Sequence, residues 1–326
     1  MKVGTDFSGI GAPEMALKYL GIDFESVFAC EIDKYARQSF KQLHHPKKFY
    51  NDITTRNHKD IEQLDLYVAG FPCQSFSMAG NRKGFDEARG TLFFNVADFI
   101  KINQPKVFVL ENVKGLLSHD KGKTFQTIVD ILSNSGGTQN GQIGLDMFDD
   151  GLGYHIYYKV LNTKDFNIPQ NRERIFIVGF KYFKEFSFPK PIELKLRLVD
   201  MLQDNPNNKY FLSDKAIKRL ERHNNKSYLK DYSATINAGY YKTGRDQQYI
   251  ANCITSSTSD SMLETTNKKI RRLTPLECWR LQGFRDEDFF SVKDVSDTQL
   301  YKQAGNSITI NVLIELFKKI YAHNNK

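Results

Sequence analysis

The residue best suited to chemistry in this chain is a cysteine presented from a stiffened turn. The apolar run Leu64-Asp65-Leu66-Tyr67-Val68-Ala69 reads as a strand and leads into Gly70-Phe71-Pro72-Cys73-Gln74-Ser75-Phe76-Ser77. Pro72 fixes its own φ and biases Phe71 toward extended geometry, so the thiol of Cys73 leaves from a rigid turn. A polar segment with Gly80, Gly84 and Gly90 follows, the composition expected of a hinged lid over a nucleophile. A lone cysteine in such a turn is more often structural, because a reactive thiol needs surroundings that stabilise the thiolate. The other residues that share its neighbourhood decide between the two.

Those residues follow from the elements that must position them. Lys2–Phe7 reads as a strand, Ser8-Gly9-Ile10-Gly11-Ala12 as a tight glycine turn, and Pro13–Leu20 as a helix with Pro13 at its first position, Glu14 at its positive end and Gly21 at its stop. Strand, glycine turn and helix open a nucleotide-binding α/β fold. A second strand, Val27–Cys30, ends at Glu31, 20 residues after Gly11, where such folds place a ribose-binding acid. The third glycine of a dinucleotide fingerprint is replaced by Glu14, which argues against a pyrophosphate and for a smaller adenosine cofactor. A helix then runs from Glu31 to about Leu43, a strand end at Phe49–Ile53 carries Asp52, Thr91–Asn103 has helical apolar spacing, and the strand Lys106–Leu110 ends at Glu111-Asn112. The glycine turn, Glu31, Asp52, Cys73 and Glu111 therefore all fall at the ends of successive strands. In an open parallel sheet that rim is where ligands bind, and the coincidence moves Cys73 from a structural to a chemical reading.

Farther on, Phe125–Leu132 reads as a helix, 134–153 as a Gly- and Asn-rich surface loop, and Tyr154–Val160 and Ile175–Phe180 as strands. Between the strands lies Ile168-Pro169-Gln170-Asn171-Arg172-Glu173-Arg174. Two arginines two apart in an extended segment share a side, and paired guanidinium forks suit phosphate or a base edge. Residues 181–270 lose the alternating rhythm, and basic residues interleave with aromatics at Tyr228–Tyr232 and Tyr240–Arg245. This reads as a separate, irregular, β-leaning domain facing nucleic acid. A helix over Arg271–Phe284 entered at Thr274-Pro275, and a glycine turn Gly305-Asn306-Ser307 into a last amphipathic helix, complete the chain.

Charge placement agrees. Residues 1–180 carry 21 Lys and Arg against 21 Asp and Glu, whereas 181–326 carry 25 against 17, so the whole excess of +8 lies in the second part, as for a polyanion partner. The four cysteines, at 30, 73, 253 and 278, are far apart, which indicates neither a zinc site nor a disulfide framework. The opening residues are not a signal peptide and no apolar run approaches a membrane span, so a cytoplasmic protein with reduced thiols is expected.

In linear order these residues resemble the bacterial and phage DNA (cytosine-5) methyltransferases, over about two thirds of the chain. Phe7-Ser8-Gly9-Ile10-Gly11 is similar to that family's cofactor loop, Glu31 to its ribose acid and Asn51-Asp52-Ile53 to its adenine-reading segment. Pro72-Cys73-Gln74 resembles the nucleophile motif, Arg89–Phe94 the motif after the mobile loop, and Glu111-Asn112-Val113 the catalytic glutamate motif. Gln170, Arg172 and Arg174 match Q-x-R-x-R, Arg272–Glu277 resembles the helix that organises recognition, and Gly305-Asn306-Ser307 the closing cofactor motif. One departure stands out: where the family carries an acid two residues before the loop phenylalanine, this chain has Thr5, with Asp6 after it.

The resemblance implies a Rossmann-like S-adenosylmethionine-dependent methyltransferase sheet (1–184 and 301–326), a smaller irregular β-rich target-recognition domain (185–272), and a hinge and connecting helix (273–300). It implies catalysis by Cys73, Glu111, Arg172 and Arg174, with no metal. S-adenosylmethionine would be held by Phe7, Ser8, Gly9, Ile10, Gly11, Glu31, Ile32, Asp52, Ile53, Pro72, Leu92, Asn306 and Ser307. DNA would be held by Gln74, Ser75, Arg82, Lys83, Arg89, Gln170, Tyr240, Lys242, Arg245 and Thr255. The Cys73 thiolate would add to C6 of a flipped-out cytosine, Glu111 would hold N3, and C5 would take the methyl group. Cys253-Ile254-Thr255 is the first candidate for the core of the recognition loop and Ser233–Ile236 the second. The partner is double-stranded DNA, the expected state a monomer, and a cognate restriction endonuclease a functional counterpart rather than a complex partner. Two neighbouring readings share part of this pattern: a tRNA cytosine-5 methyltransferase and an idle DNA-binding homologue. The basic second part favours DNA over the first, and the intact cysteine, glutamate and arginine set disfavours the second. A nicotinamide-dependent oxidoreductase, the reading left by fold alone, is disfavoured by the missing third glycine.

Overall fold

Five short segments, most of them largely apolar, are each followed by a helix or loop that returns the chain to the same edge. In the computed structural model, which describes residues 1–72, 92–133, 151–222, 232–240, 249–252 and 269–322, these are β1 (Lys2–Asp6), β2 (Glu25–Cys30), β3 (Lys48–Tyr50), β4 (Leu66–Ala69) and β5 (Val107–Val113). They pair in parallel, and β7 (Glu173–Phe180) and β6 (His155–Asn162) extend the sheet antiparallel, in the order β3-β2-β1-β4-β5-β7-β6. Between the parallel strands run α1 (Ala12–Tyr19), α2 (Lys34–Leu43) and α3 (Leu92–Asn103), and α4 (Lys123–Leu132) follows β5. The order turns back at β1: the chain first builds outward through β2 and β3, then returns to place β4 on the other side. That reversal is the switch point at which open α/β sheets bind ligands.

Register makes the ligand edge a single line. Tyr50, Cys30, Asp6, Ala69 and Leu110 are successive partners across β3, β2, β1, β4 and β5. The residues following that rung therefore begin side by side. Beneath it the sheet is covered by Phe28, Tyr67, Phe93, Phe99 and Phe108, all fully buried, and the ring of Phe99 meets those of Phe28 and Tyr67.

The chain forms two compact units. One comprises Met1–Asn162, Glu173–Pro191 and Ile310–Lys326, and the other Thr163–Arg172 and Ile192–Thr309. The expected catalytic range overlaps the first, but 163–172 and 301–309 group with the second. In the first unit α9 (Ile310–Tyr321) packs on α1. In the second, the described residues form an irregular assembly with one two-stranded sheet, β8 (Tyr249–Asn252) with β9 (Lys269–Arg272), and the helices α5 (Asp214–Arg222), α6 (Pro275–Arg280), α7 (Asp286–Ser291) and α8 (Asp297–Asn306). The helix expected over Arg271–Phe284 is thus confined to Pro275–Arg280, because Arg271 and Arg272 are taken into β9. Thr274 caps it and Pro275 opens it, and Glu277 returns to the Thr274 N–H while accepting from Arg271 Nη1 and Nη2 at 2.8 Å.

The glycine turn expected at 305–307 is corrected. Gly305 and Asn306 lie inside α8, and only Ser307 is outside it. Glycine is required there by close approach, since a Cβ on Gly305 would overlap the main chain of Asn237 and Ala238. Gly305→Ala is expected to lower the stability of the second unit by about 1–3 kcal/mol. Thermal unfolding checks this, and an unchanged melting temperature would contradict the packing described.

Candidate active site

The first unit's ligand edge starts at the glycine loop. Phe7 has φ 53°, an uncommon left-handed conformation for an aromatic residue, and it turns the chain sharply off β1. The loop is closed by Gly11 N–H to Ser8 O at 2.8 Å and is fastened to β2 by Ser8 N–H to Cys30 O at 3.0 Å. Gly11, at φ 79°, is the N-cap of α1, and a Cβ on it would overlap the ring of His44. Pro13 occupies the second helical position rather than the first. Glu31 follows β2 and fixes the loop from the side: one carboxylate oxygen accepts Gly9 N–H at 2.9 Å, the other Asp33 N–H at 2.8 Å. Burial pushes the Glu31 carboxyl above its ordinary range, against these two hydrogen bonds. Ile32 beside it is 72% exposed. Asp52 follows β3 and accepts both the N–H and the hydroxyl of Thr54 at 2.8 Å, holding its turn. Ile10 and Ile53 point their side chains into the core.

Asp6 does not substitute for the acid that Thr5 replaces. It is buried and grips Arg56 in a two-pronged pair at 2.6 and 2.8 Å, and it accepts the Tyr67 hydroxyl at 2.7 Å. The Arg56 guanidinium lies against the rings of Phe28 and Phe99 at 4.4 and 4.7 Å. A buried charge held this way needs its partner, so the pair ties the 51–57 loop, and Asp52 with it, to the end of β1.

Two strands farther on is the edge that would carry the chemistry. Ala69 ends β4, Phe71 is buried and Pro72 is exposed. Cys73, Gln74, Ser75, Arg82, Lys83 and Arg89 lie outside the described residues, as do Lys242, Arg245 and Thr255 in the second unit. The segment that leads toward Cys73 is nevertheless anchored: Asn112 Nδ2 donates to Phe71 O at 2.8 Å. Its neighbour Glu111, one residue past the common rung on β5, is 9% exposed and lies 3.1 Å from Arg174 Nε on β7. Asn112 belongs to the Glu111-Asn112-Val113 motif, and its bond to Phe71 O is a contact that no local sequence pattern announces. Asn112→Ala is expected to cost about 1–2 kcal/mol, the loss of the bonds to Phe71 O and from Val113 N–H with the buried carbonyl left unpaired, and to lower kcat more than it raises the KM for either substrate. Steady-state kinetics beside a melting curve check this, and wild-type kcat would contradict the clamp. Leu92 begins α3, half-buried.

The two arginines of the Q-x-R-x-R segment do not act side by side. β7 starts between them, so Arg174 joins Glu111 in the first unit while Arg172 is buried in the second. Arg172 Nη1 donates to Ile236 O at 2.8 Å, and Nη2 to Gly305 O and Ser307 O at 3.1 and 2.9 Å. The fork expected to meet phosphate or a base edge is spent on main-chain carbonyls. Gln170, expected to touch DNA, is fully buried and donates to Leu281 O at 3.1 Å. Tyr240, also expected to touch DNA, is 1% exposed, and its hydroxyl accepts Leu273 N–H at 3.2 Å. Both are corrected to packing roles, because every polar atom taken inward needs a partner. Ser233–Ile236 is likewise pinned: Ser233 exchanges main-chain bonds with Pro169 and Asn171 at 2.7 and 2.8 Å. Asn306 is exposed at the end of α8, and Ser307 is buried.

Comparison with known proteins gives this sheet, its glycine loop and its Glu111 strand a family. The C-5 cytosine-specific DNA methylase family model matches residues 1–322. The chain belongs to this family. Among DNA methylases, it is 37% identical over 330 residues to the type II methyltransferase M.NlaX of Neisseria lactamica, covering 97% of this chain and 95% of that one. It is 37% identical over 332 residues to the type II methyltransferase M1.ScrFI of Lactococcus lactis subsp. cremoris, covering 96% and 76%. In fold it is similar to the Dnmt2 methyltransferase of S. pombe, with a TM-score of 0.73 at 19% identity over the full length of both chains. As a C-5 cytosine-specific DNA methylase the chain is a DNA (cytosine-5) methyltransferase, and the family uses an S-adenosylmethionine methyl donor. No helix among the described residues is long and apolar enough to cross a membrane.

Proposed function

We propose that this enzyme methylates C5 of a cytosine flipped out of one short duplex sequence, through a covalent bond from Cys73 to C6. The observation that carries this reading is the single rung of strand ends, from which the glycine loop, Glu31 and the clamped Pro72 turn leave side by side. The loop fits an adenosine ligand. A Cβ on Gly9 would meet nothing nearer than Phe7 O at 4.0 Å, so the space above it is open. Each Glu31 oxygen keeps a lone pair beyond its main-chain bond to receive a ribose hydroxyl, and exposed Ile32 offers an apolar edge to the base. Phe7, Ser8, Asp52, Pro72 and Leu92 complete this set in the first unit. When bound, S-adenosylmethionine supplies an electrophilic methyl group.

The chain's own part is to make C5 a nucleophile. The Cys73 thiolate adds to C6, and Glu111, oriented by Arg174, holds N3 as charge develops on the ring. Loss of the C5 proton and departure of the thiolate then restore aromaticity. A stacked base cannot be reached by an enzyme thiol, so the base leaves the helix first. Arg82, Lys83 and Arg89 serve the phosphates, while Lys242, Arg245 and Thr255 serve recognition. The protein acts as a cytoplasmic monomer, and the type II names of its relatives support a cognate restriction endonuclease as functional counterpart.

Duplex DNA containing 5-fluorocytosine at the target tests the covalent step, because fluorine cannot leave C5 as a proton does. With S-adenosylmethionine present, a one-to-one protein–DNA adduct stable to denaturant is expected. Turnover without any trapped adduct would overturn the Cys73 assignment.

A further inference from the structure

Below the cofactor loop lies a buried acid that the methyl-transfer chemistry does not use. Glu14 is fully buried in the first turn of α1. Its Oε1 lies 2.8 Å from Thr5 Oγ1, and Thr5 Oγ1 lies 2.9 Å from Ser8 Oγ in the loop. Ser8 Oγ accepts Cys30 N–H at 2.9 Å and reaches Thr5 O and Cys30 O at 2.9 and 3.0 Å. Glu14 Oε2 has no hydrogen-bond partner among the described residues. The chain of contacts therefore runs from an isolated carboxyl into the turn that carries Gly9 and Gly11.

Counting hydrogens shows what this arrangement can do. Thr5 has one hydroxyl hydrogen and two neighbours able to accept it. If Glu14 is ionised, it takes that hydrogen and Ser8 loses the Thr5 donor, keeping only the Cys30 N–H. If Glu14 is neutral, its proton goes to Thr5, and the Thr5 hydrogen passes on to Ser8. Burial with no ion-pair partner favours the neutral acid and pushes its carboxyl up to about 7, against the Thr5 bond and its own main chain. Charged groups on the surrounding elements are engaged elsewhere. Asp6 holds Arg56, Glu31 holds the Gly9 and Asp33 N–H groups, and Glu315 on α9 pairs with Lys318. His44, just after α2, is kept neutral by burial, which pushes it down to about 3, and Lys18 on α1 is exposed.

We propose that Glu14 is a positioning residue for the cofactor loop: as a neutral acid it donates to Thr5 and thereby fixes Ser8, so cofactor affinity falls as Glu14 ionises. This rests on the reading that Phe7–Gly11 binds S-adenosylmethionine. The test is calorimetric titration of the full chain with S-adenosylhomocysteine from pH 6.0 to 8.5. The wild-type Kd is expected to rise roughly fivefold across that range, the effect of one hydrogen-bond donor, with a midpoint near 7. Glu14→Gln, whose amide always donates, is expected to keep the low-pH affinity throughout. Thr5→Val, which breaks the relay without changing shape, is expected to bind weakly at every pH. A merely structural Glu14 would shift melting temperatures and leave the pH profile in place. A Glu14→Gln protein that keeps the wild-type profile, or a flat wild-type profile with normal binding, overturns this proposal alone. Absence of any wild-type binding overturns the cofactor assignment and this proposal with it.

Discussion

Cys73→Ser should lose methyl transfer to DNA by on the order of 10³-fold or more, with S-adenosylhomocysteine affinity unchanged within about twofold, close to the error of a single titration. The argument is one of separate supports. The residues proposed to hold the cofactor hang on β1, β2 and β3, where the loop is held by Ser8, Gly9 and Glu31. The cysteine turn hangs on β4 and is held by Asn112. Serine preserves the size of the side chain, but its hydroxyl is a far weaker nucleophile than a thiol, which is already a few per cent thiolate near pH 7. Single-turnover assays with labelled cofactor, beside a binding titration, separate the two effects. Turnover within a few-fold of wild type would remove Cys73 from the chemistry.

Glu111→Gln should lower kcat by roughly 10²–10³-fold, the range for one group aimed at charge that develops in the transition state. DNA and S-adenosylhomocysteine affinities should change little. The amide keeps the shape and can still face Arg174, which lies 3.1 Å away in the wild type. It loses the carboxyl that can meet N3 in either protonation state. The Arg174 cation would then stand beside a neutral group, so a modest loss of stability is expected as well. Kinetics with saturating DNA, together with a DNA-binding isotherm, decide the matter. A pure binding defect at unchanged kcat would contradict the assigned role.

The part of the molecule that was legible beforehand is the part built by repetition. Glu31, Asp52 and Glu111 can be placed on one edge because alternating strand and helix signals leave little freedom in a parallel sheet, and the common rung from Tyr50 to Leu110 bears this out. Gly305 was misread because glycine signals both a turn and a close approach, and only the position of Asn237 and Ala238 separates them. Arg172 and Arg174 were read as a pair because an extended segment was assumed to continue through both, whereas β7 begins at Glu173. Tyr240 stood among lysines and arginines, which made a nucleic-acid contact attractive, yet an aromatic ring beside basic residues serves equally well as core. An acid in the first turn, such as Glu14, ordinarily signals a solvent-facing helix start. Its neighbours Ala12, Pro13, Met15, Ala16 and Leu17, all buried with it, were the available sign that it points inward. The Asp6–Arg56 pair spans 50 positions, and no local pattern announces such a contact.

The central claim is DNA cytosine-5 methylation at a defined sequence, and it is tested most directly by supplying S-adenosylmethionine with a labelled methyl group to duplex DNA and, in parallel, to tRNA. The products are digested to nucleosides and the DNA is sequenced for 5-methylcytosine. Label in DNA as 5-methyldeoxycytidine, confined to one short motif, is the predicted result. Label in tRNA alone, or in no nucleic acid while DNA is still bound, would contradict the account.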